Sequence, residues 1–176
     1  HDAGTLNPTS FTADAWLIGS ASASLQYAIG NRPASGASGW SLYLATTSRY
    51  VCQIAKTDGT WTYVNASDIG AVGAGSLCHV ALTYDGANLR TYFNGSLYLT
   101  RPLAYLPKAS SADFLIGSLA FGSYPFAGSV LAVRLYPFAL TPEQVAANYA
   151  AGLRWLSRRP SGLLVYQSGR SAAAWQ

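Results

Sequence analysis

Residues 78–86 read Cys78-His79-Val80-Ala81-Leu82-Thr83-Tyr84-Asp85-Gly86, and the chain then runs through Asn88 and Phe93 to Asn94-Gly95. Cys78, Val80, Leu82 and Tyr84 alternate with His79, Ala81 and Thr83, the period of a strand with one face turned to a core. Asp-Gly and Asn-Gly accept the positive φ of tight hairpins. The stretch therefore predicts a meander of strands over 76–84, 88–93 and 96–100. Working outward, the same alternation predicts strands over 11–17, 25–29, 39–45, 50–56, 61–65, 114–117 and 128–136, with turn residues about every ten positions. That many short strands need two sheets, so the fold expected is an all-β, two-sheet antiparallel sandwich. One helix is expected: Thr141 caps it, Pro142 takes its first position, Gln144 completes a capping box and Gly152 ends it. Beyond it, 163–166 reads as a last strand and the remainder as an extended tail.

The length of 176 residues suits one compact unit, and 13% aromatic against 10% charged residues excludes a disordered, solvating chain. With no Met at position 1, His1 reads as a processed or cropped terminus. No charge occurs from 114 to 133, yet Gly117-Ser118, Gly122-Ser123-Tyr124-Pro125 and Gly128-Ser129 break that run into strands and a loop. It is not read as a membrane span. Residues 1–152 carry seven basic and seven acidic side chains, whereas the last 24 hold Arg154, Arg158, Arg159 and Arg170 and no acid. The division expected is a neutral body, 1–152, and a basic, aromatic C-terminal arm, 153–176. A specific nucleic-acid partner is not expected, because neither a broad basic face nor a recognition motif is present.

Several ordered segments carry a resemblance: Phe11-Thr12-Ala13-Asp14-Ala15-Trp16, Gly39-Trp40-Ser41-Leu42, the 78–86 strand, Tyr92-Phe93-Asn94-Gly95, Phe114-Leu115-Ile116-Gly117-Ser118, Phe126-Ala127-Gly128-Ser129-Val130 and Leu140-Thr141-Pro142-Glu143. Together they resemble a laminin-G-like jelly roll of the concanavalin A-like lectin, glucanase and pentraxin superfamily, over roughly residues 6–152. Cys78 departs from the pattern, standing where the family often has Trp. The ending Asn148-Tyr149 and Trp155-Leu156-Ser157-Arg158-Arg159-Pro160 is similar to laminin-G-like modules of tailed-phage structural proteins. The resemblance places Trp16 and Trp40 in core positions and implies calcium as a cofactor to consider.

Glycoside hydrolysis ordinarily needs two carboxyl groups across the scissile bond. The glucanases of this superfamily use a Glu-x-Asp-x-x-Glu strand, which a chain whose one Glu is Glu143 cannot supply. No catalytic residue is assigned and an enzyme is not expected. His79 alternates to the face opposite the core and reads as a sheet-face residue, diverging from Cys78. Cys52 and Cys78 both read inward, which leaves open a disulfide between neighbouring strands and two buried thiols. For calcium, Asp85, Asn94 and Asp113 are oxygen donors at strand ends, although the hairpin turns already account for two of them.

The candidate ligand-binding residues are aromatic, because sugars stack their C–H faces on such rings. Trp61 and Tyr63 share a strand face, Trp61 being open between core and platform, and Phe121, Tyr124 and Phe126 crowd a Gly/Ser/Pro-rich loop. For partner binding the arm offers Trp155, Arg158, Arg159, Tyr166 and Trp175, residue types enriched at interface anchors. The function expected is a non-catalytic interaction module, a displayed or decorating component of a phage particle or extracellular surface structure, docking on protein partners through the arm and open to glycan adhesion. The alternative is a free lectin-like domain. Either role places the protein outside the cell or on a virion.

Overall fold

The computed structural model describes residues 9–20, 24–47, 49–65, 75–103, 105, 107–119, 122–157 and 166–167. Its elements are β1 (Phe11–Gly19), β2 (Gln26–Gly30), β3 (Trp40–Leu44), β4 (Tyr50–Ala55), β5 (Trp61–Asn65), β6 (Leu77–Tyr84), β7 (Asn88–Phe93), β8 (Ser96–Pro102), β9 (Leu115–Ile116), β10 (Gly128–Tyr136), α1 (Pro142–Ser157) and β11 (Tyr166–Gln167). Every strand pair is antiparallel. One sheet has the order β11-β10-β1-β6-β7-β8 and the other β5-β4-β3-β2-β9. This is the two-sheet antiparallel sandwich expected from the strand spacing, and the jelly roll that the resemblance implies.

Alternation decides what lies between the sheets. Phe11, Ala13, Ala15 and Leu17 of β1 and Cys78, Val80, Leu82 and Tyr84 of β6 meet Leu42, Leu44, Tyr50, Cys52 and Ile54 in one apolar core. Both thiols are buried and unbridged, Cys52 in one sheet and Cys78 in the other. Of the two readings of the cysteines, buried thiols is the one observed. Burial pushes the Cys52 thiol well up and that of Cys78 up to about 11, so neither is a ready nucleophile.

The turns follow their residues. Asp85 Oδ1 accepts the N–H groups of Ala87 and Asn88 at 2.9 and 2.7 Å, closing the β6–β7 turn. Asn94 and Gly95, at φ 49° and 80°, make the β7–β8 turn. Gly95 is required there twice over, since a Cβ would also lie 2.8 Å from the Tyr149 ring.

The outer face of the six-stranded sheet is covered by α1, whose first turn is closed by a reciprocal capping box. The Thr141 N–H donates to Gln144 Oε1 at 2.9 Å and the Gln144 N–H to Thr141 Oγ1 at 3.3 Å. Gly152 does not end the helix, which runs on to Ser157. A Cβ at position 152 would lie 2.3 Å from Trp16 Nε1, so this glycine lets the helix approach the sheet. The expected boundary at 152 therefore falls inside α1. Of the expected last strand, Tyr166 is described and pairs with Val130 at the edge of β10; residues 163–165 lie outside the described residues.

Beneath α1, Trp16 belongs to this second buried layer rather than to the core between the sheets, and its ring stacks on Tyr149 at 5.4 Å. Trp40 does sit in the main core. His79 faces away from that core as its alternation requires, but α1 leaves it fully buried rather than at the surface.

Candidate functional site

Among the described residues no helix lies on the outer face of the five-stranded sheet. Tyr27 of β2, Ser41 and Tyr43 of β3, Val51 and Gln53 of β4, and Trp61 and Tyr63 of β5 share that face, as the pairs Tyr27↔Tyr43, Ser41↔Gln53 and Gln53↔Tyr63 require. Tyr27, Tyr43, Val51 and Leu119 form a small apolar cluster on it, separate from the main core. Between these rings lies a buried polar layer, with Ser41, Gln53 and Tyr27 all closed off from solvent. Gln53 Nε2 donates to Ser41 Oγ at 2.7 Å and to the Tyr27 hydroxyl at 3.4 Å.

Arg32, just beyond β2, extends its guanidinium into this group. The guanidinium carbon lies 4.9 Å from the Trp61 ring centre and 5.3 Å from that of Tyr27, and Nη1 donates to the Tyr27 hydroxyl. Burial pushes the Tyr27 hydroxyl up, opposed by the charge of Arg32, and pushes Tyr43 further up. Both phenols are therefore neutral donors and acceptors at neutral pH.

The loop before β10 supplies the rim. Tyr124, at φ 51°, sets its ring edge-on to Tyr27 at 6.0 Å, and its carbonyl accepts the Tyr27 N–H at 3.1 Å. Tyr63 and Tyr124 are half exposed, at 51% and 49%. Trp61, Tyr63 and Tyr124, separated by some sixty positions in sequence, thus gather on one side of the molecule. Phe121, their fourth companion, lies outside the described residues. Phe126 is a correction to the loop reading: it is fully buried in the main core, its backbone N–H donating to Gly117 O at 2.8 Å.

Arg32, and Tyr27, Ser41, Tyr43, Val51 and Gln53 of this face, are absent from the sequence-based candidates. Tyr27 is concealed by an irregularity in β2 between Tyr27 and Ile29, which breaks the period-2 pattern that would assign it outward. Arg32 follows the end of a strand, where alternation carries no information. A usable signal exists for Gln53, a polar residue in the apolar run 50–55.

The calcium donors do not converge. Asp85 and Asn94 sit at opposite ends of the six-residue β7, roughly 20 Å apart at strand rise, and Asp113 precedes β9 in the other sheet. Asn94 Oδ1 accepts the His79 N–H at 2.9 Å, and Asp85 is held by Arg90 at 2.5 Å as well as by its turn. Among the described residues no group of three or more His, Cys, Asp or Glu is placed to hold a metal ion.

Of the partner-binding candidates, Trp155 is 46% exposed on α1, at the lip of a cleft of about 310 Å³ that it lines with Trp16, Ala132, Arg134, Ala151 and Gly152. The backbone of Tyr166 is tied into the sheet edge as part of β11. Arg158, Arg159 and Trp175 lie outside the described residues. No helix among the described residues is long and apolar enough to cross a membrane.

The structure is similar to the CBM40 module of a Ruminococcus gnavus IT-sialidase bound to α2,3-sialyllactose, with 16% identity, a TM-score of 0.68, and 82% of this chain and 84% of that one covered. It is also similar to the botulinum neurotoxin serotype G binding domain, with 14% identity, a TM-score of 0.62, and 82% of this chain covered against 37% of the other. A third likeness is to a SAP-like pentraxin of Limulus polyphemus, with 17% identity, a TM-score of 0.59, and 79% and 69% covered. These likenesses establish the fold. No curated protein sequence matches the chain. The model of the concanavalin A-like lectin/glucanases superfamily matches residues 1–146, and to that superfamily the chain belongs.

Proposed function

We propose that the protein is a glycan-binding, lectin-like module that holds a saccharide against the outer face of its five-stranded sheet. One observation carries the reading: the exposed rings of Tyr63 and Tyr124, with partly exposed Trp61 beside Arg32, stand over a buried polar layer in which Gln53 ties Ser41 to the Tyr27 hydroxyl and so fixes the platform. Rings that stack on C–H faces, beside a few fixed polar groups, are what a sugar requires. The R. gnavus module, bound to sialyllactose, and a botulinum neurotoxin DC binding domain, in complex with SialylT, support a saccharide ligand. The module is non-catalytic. Its one Glu lies in the exposed first turn of α1, while the carboxylates of Asp58 and Asp85 are engaged by neighbouring backbone N–H groups.

A glycan array probed with the full chain tests the reading. Saturable binding to at least one saccharide is expected, falling about ten-fold or more in Trp61→Ala and in Tyr124→Ala at unchanged melting temperature. An array that stays blank, or binding indifferent to both changes, refutes it.

A second reading, display on a larger extracellular or virion assembly through residues 153–176, is favoured by Trp155, 46% exposed at the lip of the cleft it lines with Trp16 and Gly152. Trp155→Ala should then release the protein from its native particle without affecting the saccharide site.

A further inference from the structure

We infer that the saccharide held on this face is acidic and that its carboxylate binds Arg32; this rests on the glycan-binding reading. Two other arginines of the described residues have acid partners. Arg134 Nε donates to Asp14 Oδ1 at 2.9 Å, and Arg90 pairs with Asp85 at 2.5 Å. Arg32 differs. Among the described residues no carboxylate pairs with it, its Nε is buried with no acceptor, and its one hydrogen-bond acceptor is the neutral Tyr27 hydroxyl.

A guanidinium taken partly out of water and left without a counter-ion is costly to maintain. The sheet nevertheless holds it in place between the rings of Tyr27 and Trp61. Such a cation is a site prepared for an anion that arrives with the ligand. Sugar hydroxyls supply acceptors but no charge, whereas a carboxylate supplies both, in the planar geometry a guanidinium matches. The half-exposed rings of Tyr63 and Tyr124 then take the body of the same sugar, so ring stacking gives general affinity and Arg32 gives the preference for acid.

Calorimetric titration of the full chain tests this with sialyllactose, a uronate-terminated trisaccharide, the carboxyl methyl ester of each, and lactose. The two acids separate the possible sources of the carboxylate. At least one acid should bind about ten-fold or more tightly than its own ester. That preference should fall below about two-fold in Arg32→Gln and return in part in Arg32→Lys, with melting temperatures unchanged. Equal binding of acid and ester, or a preference that persists in Arg32→Gln, overturns the inference and leaves the glycan reading standing. Binding confined to neutral saccharides and dependent on Trp61 does the same. If no saccharide binds at all, acidic or neutral, both readings fall together.

Discussion

The two sheets of the sandwich each turn a face away from the common core, and the two faces treat charge and aromatic surface in opposite ways. On the six-stranded sheet, α1 closes over Trp16, His79 and Asp14. There the Asp14 carboxylate takes Arg134 at 2.9 Å and the Asn148 amide at 3.1 Å, and Asn148 in turn reaches the Tyr136 hydroxyl at 3.0 Å. On the five-stranded sheet two tyrosines stand half exposed, and among the described residues no helix covers the face and Arg32 has rings for neighbours but no acid. One face is thus closed by α1, and the other, on the reading proposed above, takes the ligand. A charge neutralised internally serves stability, and a charge left over serves recognition.

The sharpest way to break this contrast is to remove one charge from each face. Asp14→Ala leaves Arg134 and Asn148 without their acceptor beneath α1 and should cost about 3 kcal/mol by chemical denaturation. Arg32→Gln should change stability by less than about 1 kcal/mol, since no ion pair is lost. Equal costs at the two sites would erase the distinction.

Gly152→Ala tests how tightly the covered face is closed. Its Cβ would enter the Trp16 indole, so the variant should lose about 1–3 kcal/mol even though Ala is the better helix former. A stabilised variant would mean the helix sits more loosely than described. Next in size is Thr141→Ala, which removes half of the capping box and should lower stability by about 1 kcal/mol with the saccharide site untouched.

The smallest effect expected is that of the surface pair Asp85–Arg90, which belongs to neither face. Partial burial raises the Asp85 carboxyl, but the Arg90 guanidinium and the N–H groups of Ala87 and Asn88 more than offset this and hold it down at about 2. A carboxyl depressed on folding stabilises the fold above the ordinary carboxylate range, and loses that contribution as pH falls from about 4 towards 2. Solvent screening limits the effect to a few tenths of a kcal/mol. Asp85→Asn should flatten that small part of the acid limb of a stability–pH profile, and an unchanged limb would show the pair to be inert.

Much of the fold is legible in the sequence because burial on one face forces alternation. The inward set Cys78, Val80, Leu82 and Tyr84 is found in the core, and Asp85-Gly86 and Asn94-Gly95 mark the turns observed. What alternation cannot show is which outward face is covered. His79 and Trp16 are buried because a helix more than sixty positions away in sequence settles on them, a tertiary event without a local signal. Gly152 illustrates a second limit: a glycine at a helix end and a glycine at a close approach are the same letter. Trp61 and Tyr63 are legible as one strand face and Tyr124 as a loop aromatic, although the sequence leaves Trp61 open between core and platform. Arg32, which gives the site its sign of charge, follows a strand end and is found by geometry alone.

The most direct test of the account is backbone amide shift mapping of the full chain titrated with sialyllactose. The account predicts saturable shifts confined to residues 27–32, 41–43, 51–53, 61–63 and 124, with amides beneath α1, at 14–16, 79 and 148–152, unmoved. Shifts centred beneath α1, or none at the five-stranded face at saturating saccharide, would contradict it.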